Sequence, residues 1–366
     1  MFEGGSSLND AQPSFDVRPA GEDEFPLLIE LFNRMFRKQK NVRTFQWKYL
    51  DNPHGKAVVW VATDPDDRIV GSLAFVPRKM RIDGREVLTL LASDGMVFEA
   101  WQRKGIFIRL LEIMCERSWD LGAPFVVAFT GRQSVPGLIR TGWSEVGTIQ
   151  DLELPVQGAF LFQRVWRLAP FLRGPLRLIG NVMLAQGRLK KVLNHAYASK
   201  IRALNHFDDA LADAGRDALE DVPVSMVRDK EFLNWRYVNN PTGRHTCFGA
   251  FKDGRAAGYV VVETKGDTAY IADLLARDGD VRADLLVTAV AEALGKRCLS
   301  IRSMALEGDP MSRFLKAWGF KCAPSFRLLP FMLKMGPDPG ELEKRVVDAG
   351  LWTLSHGDRD AEHMTR

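Results

Sequence analysis

The strongest constraint on this chain is that its sequence states one pattern twice. Trp47-Lys48-Tyr49-Leu50-Asp51-Asn52-Pro53-His54-Gly55 is echoed by Trp235-Arg236-Tyr237-Val238-Asn239-Asn240-Pro241-Thr242-Gly243. The echo continues in order. Val58–Ala62, Asp66-Asp67-Arg68 and Gly71–Phe75 correspond to Cys247–Phe251, Asp253-Gly254-Arg255 and Gly258–Val262. Leu91–Val97, which carries Asp94, corresponds to Ala269–Leu275, which carries Asp273. Gly142-Trp143 corresponds to Gly319-Phe320. A long-period repeat means two copies of one supersecondary unit, and the architecture has to be built from that unit. At 366 residues, two domains are also the expected count.

The first copy reads as β-α-α-β-β-β-α-β-α-β, a mixed α/β layer fold. Phe15–Pro19 is a short strand. Phe25, Leu28, Ile29, Phe32, Met35 and Phe36 share one face of a helix. Strands follow at 57–63, 69–77 and 86–98, with Asp83-Gly84 as a hairpin turn. Ile106, Leu110, Ile113 and Met114 repeat at helical spacing over 105–121. Phe125–Phe129 reads as a buried strand, 135–141 as a short helix, and Trp143–Leu154 as the closing strands. The resulting division is a disordered N-terminus at 1–13, a first unit at 14–154, an insert at 155–220, a second unit at 221–336 and a tail at 337–366. Between Leu154 and Phe207 there is no acidic residue. That stretch holds nine Arg or Lys side chains, from Arg164 to Arg202, interleaved with Phe160, Phe162, Trp166 and Phe171. Gly174-Pro175 and Gly187 divide it into short helices. Cations mixed with aromatics suit an anionic membrane surface or an acidic acyl carrier protein, reached through 155–207; the alternative is a linker packed on the two units.

Composition narrows the function classes. The net charge of +4 carries no argument for nucleic acid. Four scattered cysteines without a C-x-x-C suit a reducing cytoplasm rather than a disulfide framework, and the histidines show no ligand spacing for a metal. The polar start, Met1 to Ser7, lacks the regions of a signal peptide. No apolar run reaches bilayer-spanning length. The expected location is cytoplasmic, with a peripheral seat at the inner face of the membrane if the insert docks there.

One segment carries chemistry. The strand ending at Val97 is followed by Phe98-Glu99-Ala100-Trp101-Gln102-Arg103-Lys104-Gly105-Ile106-Phe107 and then a helix. A strand, a basic glycine turn and a helix start make an anion site: the first-turn N–H groups are unpaired, the helix dipole adds positive charge, and glycine lets an anion approach the backbone. Gln102-x-x-Gly105-x-Phe107 resembles the Q/R-x-x-G-x-G/A signature of the GNAT superfamily of N-acetyltransferases. Phe15–Ala20, Ser93–Val97 and Gly142-Trp143 resemble further elements of that family. Residues 14–154 are covered, and the second copy more weakly. The tandem form, with its paired boxes, resembles bacterial GNAT proteins linked to surface polysaccharide assembly.

The resemblance implies two GNAT-like mixed α/β domains in tandem. It implies acetyl-CoA or another acyl-CoA as cosubstrate, its pyrophosphate on Gln102, Arg103, Lys104, Gly105, Ile106 and Phe107, and its pantetheine along Met96 and Val97. Phe107 departs from the signature; it keeps the turn and crowds one phosphate. In the second copy the turn is shorter, and Asp278 and Asp280 stand where a phosphate would sit, so that copy is expected not to bind CoA. The implied reaction is attack of a primary amine on a thioester, with an amino sugar as the expected acceptor. Backbone N–H groups at Met96-Val97 suit the oxyanion. Candidate acids and bases are Asp94, otherwise bonded to neighbouring backbone, and Glu99, otherwise solvated. Ser134 stands beside the expected thiol. The rival readings are a peptidoglycan-bridge-type aminoacyl transferase using charged tRNA, and a non-catalytic scaffold that binds CoA or membrane.

Overall fold

In a computed structural model, the structure describes residues 14–36, 40–162, 173–323 and 329–359. The N-terminal stretch 1–13, part of the insert including Arg164, Trp166 and Phe171, and Asp360 of the tail lie outside the described residues.

The first half comprises β1 (Asp16–Pro19), α1 (Phe25–Phe36), α2 (Val42–Tyr49), β2 (Val58–Thr63), β3 (Ile69–Ile82), β4 (Arg85–Val97), α3 (Ile106–Asp120), β5 (Phe125–Phe129), α4 (Val135–Arg140) and β6 (Ser144–Pro155). After it come α5 (Arg173–Gln186) and α6 (Lys190–Leu193). The second half comprises β7 (Lys200–Leu204), α7 (Asp209–Ala218), β8 (Val224–Met226), α8 (Lys230–Leu233), β9 (His245–Lys252), β10 (Arg255–Lys265), β11 (Thr268–Ala276), α9 (Gly279–Gly295), β12 (Ser300–Leu306), α10 (Pro310–Ala317), β13 (Lys321–Cys322) and β14 (Leu329–Met335). Local sequence accounts for several boundaries. Asn41 caps α2 by accepting from Thr44 N at 2.9 Å. Asp83 and Gly84 both have positive φ and close the β3–β4 hairpin, as their sequence predicts. All five residues of β5 are buried, as a strand covered on both faces requires.

Two findings differ from the sequence reading. First, β7 pairs with β9 as β1 pairs with β2, and α7 packs on β10 and β11, so 200–218 is the opening of the second half rather than part of an insert. Second, the halves do not close separately. Among the described residues the strands form one sheet in the order β1-β2-β3-β4-β5-β14-β6-β12-β11-β10-β9-β7, with β8 on β3 and β13 on β6. β14 lies between β5 and β6, pairing Phe331 with Phe129 and Leu329 with Ile149. β6 in turn lies against β12, from Ser300–Pro155 to Leu306–Ile149. Each half thus lends its closing strand to the other. Local periodicity specifies that a segment is a strand, not which neighbour it pairs with.

The repeated boxes sit on the pseudo-twofold axis that this exchange creates. Trp47 Nε1 donates to Trp235 O at 2.8 Å, and Trp235 Nε1 donates to Trp47 O at 2.8 Å. The rings stack at 4.7 Å and 19°. Reciprocal contact of equivalent residues is the signature of a twofold interface. The indoles are buried against each other and pack the axis. A buried cluster joins Phe125 and Phe129 of β5, Val146 and Ile149 of β6, Leu306 of β12 and Phe331 of β14 with Trp352 and Leu354 of the tail. Because this core spans both halves, the full chain should unfold in one transition. A fragment ending at residue 155 should show no cooperative thermal transition by circular dichroism, and a well-folded fragment would contradict the shared core.

Candidate active site

The site region begins where β4 and β5 part. These strands run parallel and pair from Leu90–Val126 to Ala92–Ala128. Beyond that point β5 leads toward β14, with Thr130 N donating to Pro330 O at 3.3 Å. β4 stays with β3 but shifts register opposite Ser72 and Ala74. The extra residue bends the strand, and Asp94 there takes a φ of 49°. A wedge opens between the two strands. Phe98 N donates to Val70 O at 3.0 Å, so alternation turns Met96 toward β3 and Val97 outward. Val97 O receives Gln102 Nε2 at 3.0 Å, which ties the turn to the end of the strand. Of the two expected oxyanion donors, Val97 N–H is the one on the open edge.

The turn has an open backbone between basic side chains. Arg103 and Gly105 have φ of 64° and 85°, and Gly105 is the residue that starts α3. No side chain caps that end, so the first-turn N–H groups are left to solvent or a ligand. A Cβ placed on Gly105 would meet nothing within 4 Å. Glycine is required by the backbone angle, and the space outside it is open. Lys104 Nζ lies 4.6 Å from the Trp101 ring centre, which holds its charge beside the turn. Phe107 does not crowd this space. Its ring lies within 3.3 Å of where a Cβ on Gly95 would stand and 3.1 Å of one on Gly137. It packs between β4 and α4, against Gly95 and Gly137 and away from the glycine turn.

The second half has the same frame with its helix start closed from within. Asp278 caps α9, accepting from Asp280 N at 2.8 Å and Val281 N at 3.3 Å, and pairs with Lys252 at 2.7 Å. The Lys252 bond, followed by these backbone donors, lowers the Asp278 pKa. A carboxylate of the chain already takes the place of a ligand. The wedge between β11 and β12 is lined by Asp273, Ser303 and Met304 together with Leu354 and Ser355 of the tail.

The candidate acids separate clearly. Asp94 Oδ1 accepts from Lys40 Nζ at 2.9 Å; Oδ2 accepts from Lys48 Nζ at 2.7 Å and from the Tyr49 hydroxyl. All these side chains are buried. With three donors on its two oxygens, Asp94 holds β4 against α2 and is not free to take a substrate proton. Its reading as a general base therefore gives way to a holding role. Glu99 is exposed on the turn, and Ser134 stands half-buried at the start of α4, its amide bonded to Gly131 O at 3.0 Å. Burial pushes the Cys115 and Cys247 thiols up to about 12, so neither serves as a nucleophile near neutrality.

The equivalent acid, Asp273, accepts from Arg228 Nε at 2.7 Å and from the Tyr237 and Tyr259 hydroxyls at 3.2 Å. Arg228 also bonds both oxygens of Asp358, at 2.9 and 2.7 Å. The tail is bound into the second half by a buried ion pair, and Arg236 adds bonds to Gly357 O and Arg359 O. The sequence signal was present: Tyr49 and Tyr237 occupy one position of the repeated box, and Asp94 and Asp273 one position of the repeated strand.

A beta sheet parted between two parallel strands, with an open glycine-led helix start at its end, defines an acyltransferase-type fold in which one half keeps that start open. Residues 16–146 match the family model described as acetyltransferase (GNAT) domain. Among solved structures, the chain is similar to a GCN5-related N-acetyltransferase from Anabaena variabilis, with TM-score 0.64, 10% identity, and coverage of 88% of this chain and 73% of that one. It is also similar to a tandem GNAT protein from the clavulanic acid biosynthesis pathway, with TM-score 0.56, 16% identity and coverage of 88% and 99%. Saccharomyces cerevisiae N-myristoyltransferase with bound myristoyl-CoA gives TM-score 0.58, 12% identity and coverage of 88% and 82%. No curated protein matches the sequence. The family match is confined to residues 16–146, and the chain as a whole shares the tandem GNAT fold.

Removing the Asp94 charge leaves two buried ammonium groups without their partner. Asp94→Asn is therefore expected to destabilise the protein by about 3–5 kcal/mol. Whatever turnover remains should fall by the same factor at pH 7 and pH 9.5. Selective recovery at high pH, where free amine is abundant, would restore the base reading.

Proposed function

We propose that this protein transfers an acyl group from acyl-CoA to a primary amine, with the acyl-CoA bound by the first half alone. The observation that carries this reading is the contrast between the two helix starts: glycine-led and open at Gly105, closed by a carboxylate at Asp278. Ile106 and its neighbours would present backbone N–H groups to the pyrophosphate, with Arg103 and Lys104 supplying charge. Pantetheine would follow the open edge of β4, and Val97 N–H would face the thioester oxygen. The fold relative that holds myristoyl-CoA supports an acyl-CoA as donor. An acetyl group is our choice of acyl chain, because the Phe107 ring packs between β4 and α4. The open glycine turn favours CoA over a charged tRNA.

The amine nitrogen would bond to the thioester carbon, the C–S bond would break, and the thiolate would leave. An alkylammonium must first lose its proton, at a cost of roughly 4–5 kcal/mol near pH 7. With Asp94 engaged, Glu99 at the mouth and water are the routes for that proton. The acceptor we favour is an amino sugar, on the likeness of the tandem form to polysaccharide-linked proteins.

Isothermal titration calorimetry tests the donor assignment. The wild type should bind one CoA per chain. Gly105→Glu should weaken binding by about 100-fold or more, equivalent to roughly 2.7 kcal/mol. Gly105→Ala, which bears the same backbone strain without the charge, should lose much less. Two CoA per chain, or equal losses in both variants, would overturn the assignment.

A further inference from the structure

We propose that the face of α5 seats the protein on an anionic membrane surface. The inference is independent of the acyl-transfer reading and rests on how this helix is held. α5 crosses the turn at Gly158–Phe162 at a glycine contact: a Cβ on Gly180 would stand 2.6 Å from Gly158 Cα, and Gly158 N donates to Asn181 Oδ1 at 2.7 Å. Leu184, with Leu189 and Val192 after it, enters the core of the second half. The helix is therefore fixed with one side down.

The other side is apolar and uncovered. Leu178 is 67% exposed, Ile179 51%, Val182 48% and Met183 56%. At 100° per residue, Leu178 and Val182 lie opposite Gly180 and Leu184, and Ile179 and Met183 flank them. Leu193 and Tyr197 continue the exposed apolar surface just beyond. Such a patch at fixed geometry marks an interaction site.

Charge identifies the partner. Arg177 on the helix and Lys190 after it are exposed, Lys191 Nζ lies 4.2 Å from the Trp318 ring centre, and no Asp or Glu occurs anywhere in 155–207. A protein groove or a water-facing helix would carry both signs. An apolar ridge in a segment whose only charges are cations matches the acyl boundary and anionic headgroups of a lipid leaflet. Among the described residues no helix is long and apolar enough to cross a membrane, so the contact is a seat on one leaflet.

Flotation of the full-length protein with phosphatidylcholine vesicles, with and without phosphatidylglycerol, tests this. Binding should require the anionic lipid, weaken as salt rises, and weaken roughly fivefold for each cation lost. Leu178→Glu/Val182→Glu should abolish flotation, and so should Arg177→Glu/Lys190→Glu. Far-UV circular dichroism and the affinity for CoA should stay unchanged, since these side chains are exposed and lie outside the glycine turn. Absence of flotation at low salt, or equal binding to neutral vesicles, would overturn the proposal. Capture of an acidic acyl carrier protein without vesicle binding would also overturn it and assign the face to that partner.

Discussion

The structure depends on an exchange of closing strands. β14, from the second half, fills the place between β5 and β6 of the first, and β6 completes the second half against β12. Neither half can bury its own sheet edge, so the halves fold as one body. The exchange also fixes the pseudo-twofold axis. At that axis an Asn-Pro box from each copy meets its twin, and each tryptophan satisfies its indole N–H on the other's backbone. A buried aromatic pair of this kind contributes about 0.5–1.5 kcal/mol beyond its area. Its larger effect is on geometry, because it sets the two helical boxes, and through Tyr49 and Tyr237 the two strand acids, in register.

From this symmetric frame a few side chains make the halves unlike. At the strand acid, Asp94 is held by two lysines and a tyrosine, and Asp273 by an arginine and two tyrosines. The arginine leaves a buried positive charge to share, and Asp358 of the tail meets it. Leu354 and Ser355 thereby line the wedge of the second half. At the helix start the difference is a single choice between glycine and aspartate. Gly105 leaves the first-turn donors open, whereas Asp278 uses them. One copy consequently keeps an open helix start, and the other closes its own while supplying the first with a strand.

The sequence by itself determined the local chemistry. Gly105 after a basic turn specified a left-handed, uncapped helix start, because the backbone angle and the flanking charges are written in adjacent residues. Asp83-Gly84 specified its hairpin for the same reason. The twofold repeat was legible because both copies kept the box, the strand acid and the Gly-aromatic pair. Tertiary structure alone decided what pairs across distance. A strand pattern cannot say that β14 lies in the other half, that Trp47 meets Trp235, or that Asp358 answers Arg228. It gave no sign that the Phe107 ring turns inward between Gly95 and Gly137, or that Asp94 spends both oxygens on Lys40, Lys48 and Tyr49. Those facts depend on contacts between residues tens to hundreds of positions apart, and such contacts form only when the whole sheet closes.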